Sequence, residues 1–329
     1  MLFNSLLKST LRAPFSRTFA SSSNVAPLVL SPPQLREILQ SKTPVSVLDA
    51  SWFMPNSPRN AKSEFIAKKI QGSQFLDLDE VASSHHLGLK HMMPTERVFA
   101  DACGKFGIEP ASHVVIYDSH GVFSSPRALF MFRSFGHTNS SIVNGGLPYW
   151  EDLGFPIEEG PASVPKPAEY PTPTLDESVI RNYEQMVANS TSDPRSVGTD
   201  IVLDARSRGR FTGADPEPRA GLESGHIPRS FSLPFNVFLQ QQPTASNSTY
   251  TTLRPIPEIL QALVDAVGDE QAEAILKGDA SVVTTCGSGM TAAVLWLGLK
   301  LLGAHKIGLY DESWTGYAMR SSSKIDKTI

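Results

Sequence analysis

One cysteine stands in a setting that would make its sulfur reactive. Cys286 follows the apolar run 281–285 and precedes Gly-Ser-Gly-Met-Thr at 287–291. The run predicts a strand, the glycines permit a tight turn, and a helix is expected to begin near Thr291. Backbone N–H groups at the start of such a helix converge and stabilise negative charge. We therefore expect Cys286 to be a thiolate nucleophile.

Two arginines offer the contacts that a carboxylate substrate needs. Arg210 and Arg219 lie nine residues apart (219 − 210) in GRFTGADPEPR, and arginine binds carboxylates through paired hydrogen bonds. Residues 287–289 place no cationic side chain beside Cys286, although a substrate that is a dianion would gain from one. The pattern favours a substrate whose single carboxylate is held further from the loop. Arg206, in the same run, is expected to be a surface or ion-paired residue.

The second cysteine lacks such a setting. Cys103 lies in FADACG at 99–104, which reads as part of a helix, and no glycine-rich turn follows a strand there. We expect its thiol to be buried and inert. Two cysteines in 329 residues exclude a disulfide framework and a zinc site built mainly from cysteine. The histidines show no metal-ligand spacing, so no metal is expected, and His226 is expected to be a structural turn residue.

The elements that would position these residues occur twice. Leu-Asp-Ala ends an apolar run at 48–50 and again at 203–205, 155 residues later (203 − 48). Three further pairs of segments correspond between the halves. The apolar run 113–118 matches 281–286, and the helical stretch 125–135 matches 292–302. The segment 141–146, where a strand leads into a turn, matches 306–311. Strands that alternate with helices predict parallel sheets covered on both faces. We predict an α/β fold of two similar domains, the first catalytically silent because Asp118 replaces the cysteine.

Changes in composition predict the borders of these domains. The first domain is expected at 27–153, a stiff proline-rich linker at 154–175, the catalytic second domain at 176–320 and a disordered tail at 321–329. Ser31 and Gln34 form a capping-box pattern that predicts a helix to Gln40. The polar segment 240–252 is expected to be a surface loop.

The start of the chain has the character of a targeting segment. Residues 1–23 contain Lys8, Arg12 and Arg17, no acid and many serines, with apolar side chains at every fourth position from Phe3. A basic, acid-free amphipathic start is typical of a mitochondrial presequence, and the charges interrupt the apolar core that a secretory signal needs. We predict a mitochondrial protein, with a cytoplasmic location as the alternative because weak presequences permit both.

The overall composition narrows the class of protein. Hydrophobic residues make up 40% and charged residues 19%, which favours packed cores over a disordered chain. The net charge of −4 gives no basic field, so no direct nucleic-acid binding is expected. No run approaches the roughly 18 apolar residues of a membrane-spanning helix, so no membrane partner is expected.

The tandem halves, the motif CGSGMT at 286–291 and the segment 204–235 resemble the two-domain rhodanese superfamily. The motif resembles the 3-mercaptopyruvate sulfurtransferase branch, whereas thiosulfate sulfurtransferases usually carry a loop like CRKGVT. Met290 stands where valine is usual, a hydrophobic exchange that should change little. The resemblance covers 27 to about 320 and implies two tandem rhodanese-like domains without metal or organic cofactor. Related cysteine-dependent phosphatases need an arginine where Ala292 stands, which argues against phosphatase chemistry.

The resemblance also implies roles for individual residues. Arg210 and Arg219 match the two arginines that bind the carboxylate and carbonyl of mercaptopyruvate. Asp79, His91 and Ser288 match a hydrogen-bonded proton relay beside the nucleophile. The remaining substrate contacts would come from the loop residues Gly287, Gly289, Met290 and Thr291.

The implied reaction has two steps. The Cys286 thiolate attacks the sulfur of 3-mercaptopyruvate, pyruvate leaves as an enolate that the relay protonates, and the cysteine becomes a persulfide. A thiophilic acceptor then removes the outer sulfur. In this family the acceptors are thioredoxin, small thiols or cyanide, and a cysteine desulfurase or sulfur-relay protein is a further partner to consider.

Two alternatives stay open. The first is a thiosulfate:cyanide sulfurtransferase, against which the neutral residues 287–289 argue. The second is a persulfide carrier that feeds tRNA thiolation or cofactor sulfuration; the Arg210 and Arg219 pair argues against it, because a carrier need not grip a small carboxylate. Comparing the two donors on one preparation separates these readings.

Overall fold

The computed structural model describes residues 25–41, 43–193 and 198–327. The presequence expected at 1–23 lies outside the described residues. Among the described helices, none has the length and apolar character needed to cross a membrane.

The first half forms one five-stranded parallel sheet with helices on its faces. Its elements are β1 (Val29–Leu30), α1 (Pro32–Gln40), β2 (Val45–Asp49), α2 (Ala61–Ala67), β3 (Lys69–Ile70), β4 (Gln74–Phe75), α3 (Glu96–Lys105), β5 (His113–Tyr117), α4 (Ser125–Ser134), β6 (Ser140–Val143), α5 (Gly146–Asp152) and β7 (Ile157–Glu158). The strand order is β1-β6-β5-β2-β4, and β3 pairs with β7 in a separate antiparallel ribbon.

The second half repeats this architecture. Its elements are β8 (Ile180–Arg181), α6 (Tyr183–Thr191), β9 (Asp200–Asp204), α7 (Arg208–Thr212), β10 (Ser230–Ser232), β11 (Leu239–Pro243), β12 (Thr249–Leu253), α8 (Ile256–Val267), α9 (Asp269–Lys277), β13 (Ser281–Thr285), α10 (Ala292–Leu301), β14 (Ile307–Tyr310) and α11 (Ser313–Ala318). The sheet order is β8-β14-β13-β9-β10, with all neighbours parallel. The predicted α/β fold with two similar parallel sheets is confirmed.

The two halves share one hydrophobic core. Helices α4 and α10 are buried along almost their whole length. This is expected for α10, which is apolar on almost every side, whereas α4 also buries the side chain of Arg127. They pack against each other, and the rings of Phe130 and Trp296 meet edge to face with centroids 5.4 Å apart. Because this core is continuous across the halves, residues from both can be held in one fixed site.

The segment 240–252 is not the surface loop that its polarity predicted. Its ends form the antiparallel hairpin β11–β12, which lies against the first half. Thr251 N–H donates to His120 O at 2.9 Å, and Leu253 N–H donates to Asn144 Oδ1 at 2.9 Å. Thr249–Leu253 is rich in strand-forming residues and pairs with the nearby Leu239–Pro243. Local composition gives no signal only for the contact of this hairpin with the first half.

The expectation of a disordered tail is wrong for the described residues up to 327. His226 and Asp326 exchange backbone hydrogen bonds of 2.8 and 3.0 Å. Ile325 packs beside the buried cluster that includes Trp314 and Tyr317. The order of this segment depends on a partner 100 residues earlier in the chain (326 − 226), so its polar composition was misleading.

Candidate active site

The Cys286 loop has the predicted strand, turn and helix. β13 ends at Thr285, Gly289 adopts a left-handed φ of 85°, and α10 begins at Ala292. Cys286 is 2% exposed. Its N–H donates to Ser313 Oγ at 3.1 Å, so the start of α11 fixes the loop from one side.

The corresponding loop of the first half holds an anion of its own. The Asp118 carboxylate accepts backbone N–H groups at 2.8 to 3.0 Å from His120, Gly121, Phe123, Ser124 and Ser125. The Ser125 hydroxyl adds a hydrogen bond of 2.7 Å. This loop geometry therefore stabilises negative charge, as expected for a helix N-terminus. In the first half this charge belongs to Asp118 itself, which stands where the second half carries Cys286.

A buried acid orients two of the predicted arginines. Glu217 accepts Arg210 Nε at 3.1 Å and Nη2 at 2.5 Å, and it also accepts Arg206 Nη1 at 2.8 Å. Arg206 pairs further with Asp204, at 2.5 Å between Nη2 and Oδ2, and lies over the Trp314 ring. Arg206 is thus the predicted ion-paired residue. Sequence reasoning missed Glu217, although an acid between two arginines was a visible signal.

The two substrate-binding candidates border the nucleophile loop. A Cβ atom added to Gly287 would lie 3.1 Å from Arg210 Nη2 and 3.6 Å from Arg219 Nη1. Burial, helped by the neighbouring Arg210, lowers the pKa of Arg219, while Cys286 and Glu217 oppose this shift. The expectation that cationic groups stand away from the loop is therefore wrong. The charge that the loop lacks comes from α7 and the segment after it, so loop neutrality alone does not exclude thiosulfate.

Half of the relay is assembled in the structure. His91 Nδ1 lies 2.9 Å from Asp79 Oδ1, and Trp52 Nε1 donates to Asp79 Oδ2 at 3.3 Å. Burial raises the pKa of Asp79, but the hydrogen bonds from His91 and Trp52 outweigh it and the pKa lies below its ordinary value. His91 is 2% exposed, and its Nε2 is buried without a hydrogen-bond partner. Among the described contacts, no hydrogen bond joins His91 to Ser288, so the last link of the relay stays a prediction.

A buried ion pair ties His91 to the second half. Arg127 Nη2 donates to His91 O at 2.7 Å and to Asp311 Oδ1 at 2.5 Å. Asp311 Oδ2 also accepts Met93 N–H at 2.8 Å, and its backbone carbonyl packs against Gly289. His91 adopts a left-handed φ of 47°, which is uncommon outside glycine. Sequence reasoning missed Arg127 and Asp311; the one signal was an arginine directly before the apolar run 128–132 of α4.

Two of the other predicted residues, Cys103 and His226, lie outside the site. Cys103 lies on α3, is 1% exposed, and burial raises the pKa of its thiol. His226 stacks on Phe211 at 3.9 Å and is structural. Of the loop residues, Met290 is buried and Thr291 half-buried. Within the described residues, no group of three or more histidines, cysteines and acids could hold a metal ion.

Sequence and fold match known proteins along most of the chain. The Rhodanese-like domain family matches residues 31–153 and 185–320. The 3-mercaptopyruvate sulfurtransferase of Rattus norvegicus is 38% identical over 307 residues, which cover 93% of each chain. Thiosulfate/3-mercaptopyruvate sulfurtransferase 1, mitochondrial, of Arabidopsis thaliana is 34% identical over 303 residues, covering 86% of this chain and 74% of its own. The crystal structure of SseA from Escherichia coli, described with the fold and mechanism of 3-mercaptopyruvate sulfotransferases, has a TM-score of 0.72 and 26% identity over 88% of this chain and 99% of its own.

Proposed function

The chain belongs to the rhodanese family of sulfurtransferases, and we propose that its sulfur donor is 3-mercaptopyruvate. The observation that carries this proposal is the pair of guanidinium groups, Arg210 and Arg219, beside the Cys286 loop. A keto acid offers them a carboxylate and a carbonyl oxygen on adjacent carbon atoms. The relative in rat is named for 3-mercaptopyruvate, which supports the same donor, and the relative in Arabidopsis is named for both thiosulfate and 3-mercaptopyruvate.

In the first step the Cys286 thiolate attacks the donor sulfur. The S–S bond forms as the C–S bond breaks, and its electron pair enters the keto acid to give the enolate of pyruvate. Arg210, held by Glu217, and Arg219 would stabilise the oxygen on which this charge develops. Cys286 keeps the transferred sulfur as a persulfide, whose negative charge the loop N–H groups favour.

Formation of the persulfide anion releases the proton of the donor thiol, and the enolate carbon takes up one proton to become pyruvate. We assign its delivery to His91, whose buried Nε2 has no partner and whose Nδ1 is held by Asp79. Ser288, half-buried in the loop, would pass the proton from the imidazole to the product. A carboxylate that orients an imidazole toward a hydroxyl is an established arrangement for proton transfer.

In the second step a thiolate acceptor attacks the outer sulfur, and Cys286 leaves as a thiolate. We propose thioredoxin or a small thiol as acceptor, with a cysteine desulfurase or a tRNA-thiolation pathway as further partners. A mitochondrial location is part of this proposal, supported by the basic, acid-free residues 1–23 and by the mitochondrial Arabidopsis relative.

Pyruvate release from 3-mercaptopyruvate tests the donor, with thiosulfate run in parallel under the same acceptor. We expect fast release, weak use of thiosulfate and loss of both activities in Cys286→Ala. Thiosulfate is the alternative donor to compare, because Arg210 and Arg219 border the loop and could hold a dianion. A higher kcat/KM for thiosulfate would overturn the proposed donor, and no turnover with either donor would favour the carrier.

A further inference from the structure

The first half repeats an aspartate turn of the second half but lacks the arginine that neutralises it. At the end of β9, Asp204 Oδ1 accepts Arg206 N–H at 3.0 Å. At the equivalent end of β2, Asp49 Oδ1 accepts Ser51 N–H at 2.8 Å. The Arg206 side chain turns back and pairs with Asp204, whereas the short Ser51 side chain cannot neutralise Asp49.

A second difference between the two halves leaves more space beside Asp49. Trp314 N–H donates to Cys286 O in the second half, and Leu147 N–H donates to Asp118 O in the first, so Leu147 is the counterpart of Trp314. Arg206 lies 4.1 Å above the Trp314 ring. With leucine for tryptophan and serine for arginine, the first half has a cavity of about 370 Å³ lined by Asp49, Ser51, Ser119 and Leu147. That volume is at the lower end of small-molecule sites.

Among the described residues, the Asp49 carboxyl group in this cavity has no cation beside it. Asp49 is 1% exposed and has no described ion pair. Two cations also line the cavity, but each has its own acid: Arg59 Nη2 lies 2.6 Å from Glu64 Oε2, and Lys68 Nζ lies 2.5 Å from Glu151 Oε1. A buried carboxylate without a cation is costly, and burial raises the pKa of Asp49 to about 7. A ligand that brings a positive charge would remove this cost.

We propose that the cavity beside Asp49 binds a guanidinium group, in the place that the Arg206 side chain fills in the second half. The planar group would donate paired hydrogen bonds to the Asp49 carboxylate, as Arg206 does to Asp204. Its alkyl stem would lie along Leu147. The ligand is either a small alkylguanidine or an arginine side chain presented by another protein. The site lies in the silent half and uses none of the residues assigned to sulfur transfer.

Titration calorimetry on the full chain tests the proposal, with N-ethylguanidinium as probe and N-ethylurea as its neutral counterpart of nearly equal shape. We expect the guanidinium to bind at least about ten-fold more tightly than the urea. Asp49→Asn should bring the two affinities within about two-fold of each other. Ser51→Arg should abolish guanidinium binding by filling the cavity, while the matched Ser51→Ala should retain it.

Sulfur transfer by each variant serves as the control for folding, since neither position belongs to the Cys286 site. Equal binding of the two probes, or undiminished guanidinium binding in Asp49→Asn or Ser51→Arg, would overturn the proposal. So would the absence of guanidinium binding at millimolar concentration. N-acetylarginine methylamide distinguishes the two sources: tighter binding than N-ethylguanidinium assigns the site to a protein side chain, and weaker binding assigns it to a free small molecule.

Discussion

Replacing Asp49 by asparagine should change how stability depends on pH. Burial raises the pKa of Asp49 to about 7 in the folded chain, from an ordinary value of 3.8. Between these values the unfolded chain has lost its proton while the folded chain retains it, so the wild type loses stability as the pH rises from about 4 to about 7. The pKa difference of roughly three corresponds to about 4 kcal/mol. An asparagine side chain at this position does not titrate and avoids this loss.

Urea unfolding of both proteins between pH 4 and pH 8 measures the effect. The free energy of unfolding of Asp49→Asn, minus that of the wild type, should increase by up to about 4 kcal/mol across this range and level off above the folded pKa. Asp101→Asn is the matched control, because it makes the same substitution at an exposed position of α3. A flat profile for Asp49→Asn would refute the reasoning, since it would mean that the buried carboxyl is as easily ionised when folded as when unfolded.

Three further predictions concern sulfur transfer. Glu217→Gln removes the carboxylate that orients Arg210, so the KM for 3-mercaptopyruvate should rise by about ten-fold or more with a smaller change in kcat; an unchanged KM in pyruvate-release assays would contradict this role. His91→Asn should lower kcat by about 10²-fold, because the enolate loses its proton donor, and full turnover by this variant would remove His91 from the reaction. Cys103→Ser should keep wild-type turnover, and mass spectrometry after sulfur loading should find the persulfide on Cys286 alone; sulfur on Cys103 would contradict its burial.

What the sequence could predict was local. The capping box at Ser31 and Gln34 forms with both of its hydrogen bonds, because a few neighbouring residues suffice to make it. The Cys286 loop is likewise defined by its own strand, glycines and helix. The repeat of Leu-Asp-Ala placed the two parallel sheets, since equal patterns fold equally. The capping box and the loop are each contained in a short stretch of chain, and the repeat is visible because one short pattern occurs twice.

What the sequence could not predict depends on contacts between distant segments. Asp311 and Arg127 meet only because β14 and α4 come together across the shared core, and an isolated aspartate at a strand end has many ordinary uses. The same holds for the hairpin over 240–252, whose partners are His120 and Asn144. Even the position of Arg219 beside Cys286 depends on the path of the chain after α7. Composition and spacing do not show which distant segments will be in contact.

Each half contributes a segment that covers part of the other half. In the first half, the segment between β4 and α3 carries Asp79 and His91 and contacts the second half, where Asp311 accepts the Met93 N–H. In return, the segment between β10 and α8 lays the β11–β12 hairpin onto the Asp118 loop. Each half therefore covers part of the other. If the chain were cut within 154–175 and the halves were separated, α4 and α10 would be exposed to water. The first half therefore contributes to the site beside Cys286, because the Asp79–His91 pair and Arg127 all come from it.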